Sequence, residues 1–227
     1  MGNDLKEKYA DILVEYNERF DTLEHFHKNV INFFEARSLK KVVHSIRHRI
    51  KDVDHLLEKI ERKNIEDLAK EDEKKQGPIT KGNLFERITD MAGVRVLHLH
   101  QSQFQEIHQL ILRKVDEGDF VFFEDPKAYT YDPDSTVFFQ KLGIRTEQKD
   151  SFYTSIHYVL KPNVRSKVTC EVQIRTLLEE VWGEVDHTMN YPVKTTNEQC
   201  IENIRILARL ISAGSHLADS IMRRYGQ

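Results

Sequence analysis

The sequence predicts an α+β fold, a central mixed sheet flanked by helices, with helical additions at both ends. Three observations predict it. Residues 168–176 alternate strictly, with Val168, Cys170, Val172 and Ile174 on one parity and Thr169, Glu171, Gln173 and Arg175 on the other. Further alternating stretches recur between segments of helical spacing. Both ends of the chain carry apolar residues three to four apart.

Taken in order, residues 4–36 space Leu5, Tyr9, Ile12, Tyr16, Phe20, Leu23, Phe26 and Val30 as two packed helices. Residues 40–51 switch to period two and set Arg47, Arg49 and Lys51 on one strand face. After Asp52 or Asp54 as a cap, helical spacing places His55, Lys59 and then Arg62 or Lys63 on one stripe. From 37 to 63 there are nine Lys/Arg against four Asp/Glu, a basic stretch in a chain of net charge -3. A solvated helix face is the plain reading of such a run, but a strand face needs no three cations for solubility, so an anion or phosphate site is expected here.

Residues 70–83, with Gly77-Pro78 and Gly82, read as a mobile loop. Residues 88–100 enter a strand whose charged members are Asp90 and Arg95. Residues 102–115 form an amphipathic helix and 119–123 a short strand. Residues 124–150, with Pro126 and Pro133, read as a long irregular segment covering a site. Residues 153–160 form a strand with Tyr153, Ser155 and His157 on one parity. Strand 168–176 then runs into a capping box, Thr176-Leu177-Leu178-Glu179, which opens a helix to about His187. A carboxylate, an amide and a guanidinium in consecutive same-face positions make a poor solubilising surface and a good lining for a charged ligand. Residues 198–225 form a last helix with Ile201, Ile204, Leu207, Leu210, Ile211, His216, Leu217 and Ile221 on its apolar side, against the core or another subunit.

At 227 residues the chain can bury a substantial core. Near-balanced charge argues against a sequence-blind nucleic-acid binder. Cys170 and Cys200 have neither disulfide nor metal spacing, which fits a reduced, cytoplasmic setting. No stretch is long enough to span a membrane, no apolar signal core opens the chain, and Lys6 stands where a myristoylation motif wants Ser or Thr.

Five motifs, in order, resemble the synthetase domain of the RelA/SpoT family, the alarmone synthetases that make (p)ppGpp, in its short stand-alone form. The resemblance covers residues 40–192. Arg49-x-Lys51 with His55 and Lys59 is similar to the family's basic ATP-binding element, which commonly has Ser at the place of His55. Asp90-Met91-Ala92-Gly93-Val94-Arg95 is similar to D-x-A-G-x-R, whose Asp binds magnesium. Tyr153-Thr154-Ser155-Ile156-His157 matches Y-x-S-x-H, whose Tyr stacks on the acceptor guanine. Glu171-Val172-Gln173-Ile174-Arg175-Thr176 matches E-[VI]-Q-I-R-T, whose Glu serves the attacking hydroxyl. The run from Trp182 to Tyr191 resembles the helix that follows.

The resemblance implies a sheet of nucleotidyltransferase-like type. It divides the chain into an N-terminal helical segment over 1–36, a catalytic domain over 37–195 and a C-terminal helix over 196–227. It implies transfer of pyrophosphate from ATP to the 3'-hydroxyl of GDP or GTP, without a hydrolase half, since His25 and His27 do not form that domain's pattern. Asp90 and Glu171 would share Mg²⁺. Arg49, Lys51, His55, Lys59 and Arg95 would hold ATP, and Lys149, Tyr153, Ser155, His157, Gln173 and Arg175 the acceptor, although Arg175 could instead pair with a carboxylate. The family's Lys-Pro-Asn-Gly-Tyr stands here as Lys149-Asp150-Ser151-Phe152-Tyr153. Since Phe resists angles that Gly adopts freely, the loop before Tyr153 is expected to follow another path. That departure keeps a second acceptor open, an adenosine nucleotide or the 3' end of tRNA, as in toxin-like relatives. A catalytically silent nucleotide-binding module is the reading from another class. The terminal helices could also join copies of the chain.

Overall fold

The computed structural model describes residues 2–190 and 193–225. Helices α1 (Gly2–Lys8) and α2 (Ala10–Phe34) meet at Tyr9, whose non-helical backbone divides an otherwise continuous stretch. Then come β1 (Ser45–Ile50), α3 (Val53–Leu68), the single turn α4 (Leu84–Arg87), β2 (Ala92–His98), α5 (Gln101–Asp116) and β3 (Val121–Tyr129). After these follow α6 (Pro133–Lys141), β4 (Arg145–Glu147), β5 (Ser155–Lys161), β6 (Cys170–Thr176), α7 (Leu177–Asn190) and α8 (Glu198–Tyr225).

The six strands form one sheet in the order β1-β2-β6-β5-β3-β4. Pairing is parallel for β2 with β6 and for β3 with β4, and antiparallel elsewhere, so the sheet is mixed as expected. Register decides what the sheet can do. Arg47 pairs with Arg95, Arg95 with Gln173, and Gln173 with His157, while Arg49 pairs with Gly93 and Gly93 with Glu171. Paired residues share a face, so four strands assemble one polar surface. The opposite parity, including Val94, Val96, Val172, Ile174, Ile156 and Tyr158, is buried in one core with Leu23, Phe26 and Val30 of α2, Leu56 and Ile60 of α3, and Phe104 and Ile107 of α5. The core thus fixes which side the charged residues occupy.

Several local expectations hold for stated reasons. Asp52 caps α3 by accepting from His55 N at 3.0 Å. The capping box at α7 is complete: Thr176 N donates to Glu179 Oε2 at 2.6 Å, and Glu179 N to Thr176 Oγ1 at 3.1 Å. Because β6 passes into α7 without a loop, the polar row of β6 and one face of α7 are held rigidly together. The loop over 70–83 is anchored to buried Asp67, which accepts from Gln76 N, and to Arg87, which donates to the Gly77 carbonyl at 2.9 Å.

Others are corrected. The strand expected over 40–51 begins only at Ser45, because 35–42 are turns that bury Leu39 and Val42. Residues 124–150 are not an irregular cover. Strand β3 runs on through Pro126 to Tyr129, tolerating the proline where its register with β5 shifts between Glu124 and Lys127. Asp132 then caps α6, with Pro133 at its first position. On α8, Ile204, Ala208 and Ile211 are buried, but Leu210, Leu217 and Ile221 face outward. The buried polar group there is Asp219, which accepts from Ser102 N at 2.8 Å and ties α8 to the start of α5. Among the described residues no helix is long and apolar enough to cross a membrane.

Candidate active site

A cleft of about 560 Å³ lies over the polar face of β1, β2 and β6, with α7 as its wall. Of the residues singled out from sequence, Arg49, Asp90, Arg95, Tyr153, Glu171, Gln173 and Arg175 line it. Asp90 precedes β2 and Glu171 lies on the neighbouring β6, where the two charges are close enough for Asp90 to oppose ionisation of Glu171.

Lys51 and Lys59 both reach Asp90 Oδ2, at 3.2 and 2.6 Å. Burial raises the Asp90 pKa, but the two ammonium groups outweigh it and hold the carboxyl at about 2. The same burial pulls Lys51 below its ordinary value despite Asp90. Burial also raises Glu171, but the hydrogen bond and charge of His157, with Nδ1 3.3 Å from Oε1, together with the Gln173 hydrogen bond bring it below its ordinary value. Gln173 Nε2 donates to Glu171 Oε2 at 2.7 Å. Both acids are therefore ionised at neutral pH.

Asp90 Oδ1 is buried and has no hydrogen-bond partner. An anionic oxygen left bare in this way suits a hard divalent cation. Among the described residues no group of three or more His, Cys, Asp or Glu forms a ready-made metal cage. Magnesium fits such a donor set, since it takes one or two carboxylates and completes its shell with phosphate and water oxygens.

Tyr153 lies beside β5 with its hydroxyl 2.9 Å from His157 Nε2 and accepting from Arg175 Nη2 at 2.9 Å. The Arg175 guanidinium also lies over the Tyr153 ring, 5.4 Å from its centroid, and Trp182 stands 6.0 Å away. Arg175 forms an ion pair with Glu180 at 3.4 Å, the carboxylate pairing left open by the sequence. Phe152 has φ 63, so the expected avoidance of the glycine conformation is corrected: a bulky residue occupies the left-handed region. Its ring stacks on Tyr131 at 4.4 Å, with Arg209 5.5 Å from its centroid. These contacts hold a backbone that Phe alone disfavours.

Six expected residues do not line the cleft: Lys51, Lys59 and His157 stand behind it against its two acids, and the other three lie elsewhere. His55 turns to Asp52 at the start of α3. Ser155 is fully buried. Lys149 lies over the Tyr129 ring at 4.6 Å and pairs with Glu147 at 3.1 Å. Conversely, the ATP-holding set implied by the resemblance left out Arg47, although its strand face was expected to meet an anion, and none of the α7 residues Gly183, Glu184, Asp186, His187 and Asn190 was expected in the site. Arg47 shares the parity of Arg49, and Glu180, Glu184 and His187 recur at helical spacing, which was the available signal. Tyr191, the last residue of the α7 motif, lies outside the described residues.

Gly183 is the tightest point of the wall. A Cβ there would come within 2.4 Å of Arg175 Nη1. Although that atom ends a flexible side chain, Arg175 is only 3% exposed and is held by Tyr153, Gln173 and Glu180, so it has little room to yield. Gly183→Ala is expected to displace Arg175 from Tyr153 and to lower turnover by roughly 10- to 100-fold, with the circular dichroism spectrum unchanged. Turnover equal to the wild type would show that Arg175 is not held in place for the site.

Fold and cleft together define an α+β protein with a mixed six-stranded sheet, flanking helices and an open cleft over the polar face of the sheet. The model of the region found in RelA/SpoT proteins matches residues 48–196, and the chain belongs to that family. GTP pyrophosphokinase YjbM of Bacillus subtilis is 24% identical over 194 residues, covering 81% of this chain and 74% of that protein. The structure of small alarmone synthetase 1 from Bacillus subtilis bound to its product pppGpp superposes with a TM-score of 0.64 at 19% identity, covering 97% of this chain and 100% of that one. The same protein bound to AMPCPP gives a TM-score of 0.61 at 17% identity over 97% and 98% of the two chains. A GTP pyrophosphokinase family protein from Streptococcus pneumoniae gives 0.59 at 18% identity over 88% and 87%.

Proposed function

We propose that the chain is an ATP:GTP/GDP 3'-pyrophosphotransferase that makes (p)ppGpp. The single observation that carries this reading is the placement of two ionised carboxylates, Asp90 and Glu171, in one cleft with a row of guanidinium groups. Membership of the RelA/SpoT family supports it, as does the name of the Bacillus subtilis relative.

In the reaction the 3'-oxygen attacks the β-phosphorus, the bond from that phosphorus to the α,β-bridging oxygen breaks, and AMP leaves with the electron pair. Positioning and neutralisation of charge carry most of the acceleration in such transfers. Glu171, ionised and oriented by His157 and Gln173, accepts the hydroxyl proton. Arg49 and Arg95, in adjacent strands, hold the donor phosphates. Asp90, with its bare oxygen, and Glu171 would hold Mg²⁺, whose charge offsets that of the phosphates. Lys51 and Lys59 keep Asp90 ionised and aimed. Tyr153 and Arg175 form the acceptor end, with Arg175 setting the Tyr153 ring.

A second acceptor, an adenosine nucleotide or the 3' end of tRNA, is favoured by one observation: Phe152, in place of the family's glycine, stacks on Tyr131 beside Arg205 and Arg209 next to the acceptor tyrosine. The test is incubation of the purified protein with labelled ATP, Mg²⁺ and, in parallel, GDP, GTP, ADP or bulk tRNA. Labelled tetra- or pentaphosphate in the guanosine reactions is expected. Label only in ADP or tRNA would replace the acceptor and keep the mechanism, while tight ATP binding without transfer to any of them would leave a silent nucleotide-binding module.

A further inference from the structure

Three arginines from three strands converge on α7. Arg47 of β1 and Arg95 of β2 each direct Nη1 at Glu180 Oε1, at 3.2 and 2.8 Å, and Arg175 of β6 faces Glu180 Oε2 at 3.4 Å. One turn later, Glu184 Oε1 takes the same two Nη1 atoms, at 3.2 and 2.9 Å. The two carboxylates make matching contacts in opposite surroundings. The Glu180 side chain is 6% exposed, whereas that of Glu184 is 54% exposed and lines the cleft.

The difference decides their roles. A buried carboxylate beside the equally buried Arg175 is fixed, because removing it would strand that guanidinium's charge away from water. An exposed one gains little from its ion pairs and is free to leave them for solvent. The atoms it holds are the donors a phosphate oxygen would use, in a cleft whose floor carries Arg49 beside them. With both carboxylates in place the three arginines keep one net positive charge, and withdrawal of Glu184 exposes a second.

We propose that Glu184 is a built-in competitor for the polyphosphate seat, a carboxylate that occupies Arg47 and Arg95 until a polyanion displaces it, while Glu180 is the strut that keeps the arginines in place. Glu184 thereby sets the affinity of the cleft for its anionic ligand and discriminates in favour of polyanions, since a weakly charged ligand gains too little from the arginines to displace it. The assignment of that ligand as ATP rests on the function proposed above. The competition itself rests only on the geometry.

Glu184→Gln retains an acceptor oxygen and removes the charge. Binding of inorganic tripolyphosphate, followed by calorimetry at low salt, is expected to tighten by about fivefold in this variant, with the gain shrinking as salt is raised. Glu180→Gln is expected to weaken the same binding, because the arginines lose their anchor. In the transfer assay Glu184→Gln lowers KM for ATP by a similar factor without raising kcat. Unchanged or weaker tripolyphosphate binding by a folded Glu184→Gln variant would overturn the proposal and make Glu184 a second strut. Tighter tripolyphosphate binding in a protein whose wild type transfers no pyrophosphate would instead sink the synthetase reading and leave the competition standing.

Discussion

Glu171→Gln is expected to lower kcat by about 10²- to 10⁴-fold, the range that a positioned general base contributes, with KM for ATP nearly unchanged. The substitution keeps shape and removes the negative charge, and with it the capacity to accept a proton and to serve as an anionic ligand of Mg²⁺. Gln173 Nε2 donates to Glu171 Oε2 at 2.7 Å, and an amide oxygen at that place accepts the same bond, so the floor of the cleft stays ordered. The effect thus reads the chemistry and not the fold. Single-turnover measurement with saturating ATP checks it, and a loss smaller than tenfold would remove Glu171 as the base.

The environment of Glu171 also fixes the pH dependence. In the folded protein the His157 contact holds its pKa below the ordinary carboxylate range against the effect of burial. The base is therefore ionised at every pH above that range, and the acid limb it causes in the kcat profile lies below it. Replacing His157 by Ala removes its hydrogen bond and charge and leaves only the Gln173 bond to oppose burial, which moves the limb to higher pH. A limb that stays in place in the His157 variant would show that another group carries it.

Much of this geometry was legible in the sequence because alternation fixes faces. Once the apolar parity of 168–176 enters the core, Glu171, Gln173 and Arg175 have no choice of side, and the same holds for Arg95 and Arg49. Periodicity does not fix which side chains quench one another across elements. Nothing in the spacing of Arg47, Arg95, Glu180 and Glu184 reveals that they meet, because the register of β1 on β2 and the crossing of α7 bring them together. The segment over 124–150 was misread since Pro126 signals a break in isolated sequence, whereas an irregular register gives the proline a place within a strand. Phe152 was misread differently. Its φ of 63 is maintained by tertiary stacking on Tyr131, a contact invisible to local propensity. His55, which matches a family position only by place, is occupied with capping contacts at Asp52.

Asp90→Asn tests the other acid, and it is expected to act on catalysis and on stability at once. Loss of the carboxylate removes the proposed cation ligand, and kcat is expected to fall by roughly 10²- to 10³-fold, the scale of losing one strong electrostatic contact to the reacting phosphates. Stability falls as well. The folded carboxyl titrates at about 2 against an ordinary 3.8, a difference worth about 2 kcal/mol. Because the folded pKa is the lower one, this contribution is complete above the unfolded pKa and is lost as the pH falls through the folded value. The gap in urea stability between wild type and Asp90→Asn should therefore be widest near neutrality and close towards pH 2. Lys51, 9% exposed and facing Asp90, loses its compensating charge in the variant, and burial then drives its pKa further down. ATP binding measured without divalent cation should not weaken, because a negative charge has been taken from beside the phosphates. Loss of metal-free ATP binding together with loss of turnover would mean that Asp90 holds Lys51 and Lys59 in place rather than a cation, and the bare Oδ1 would then need another explanation.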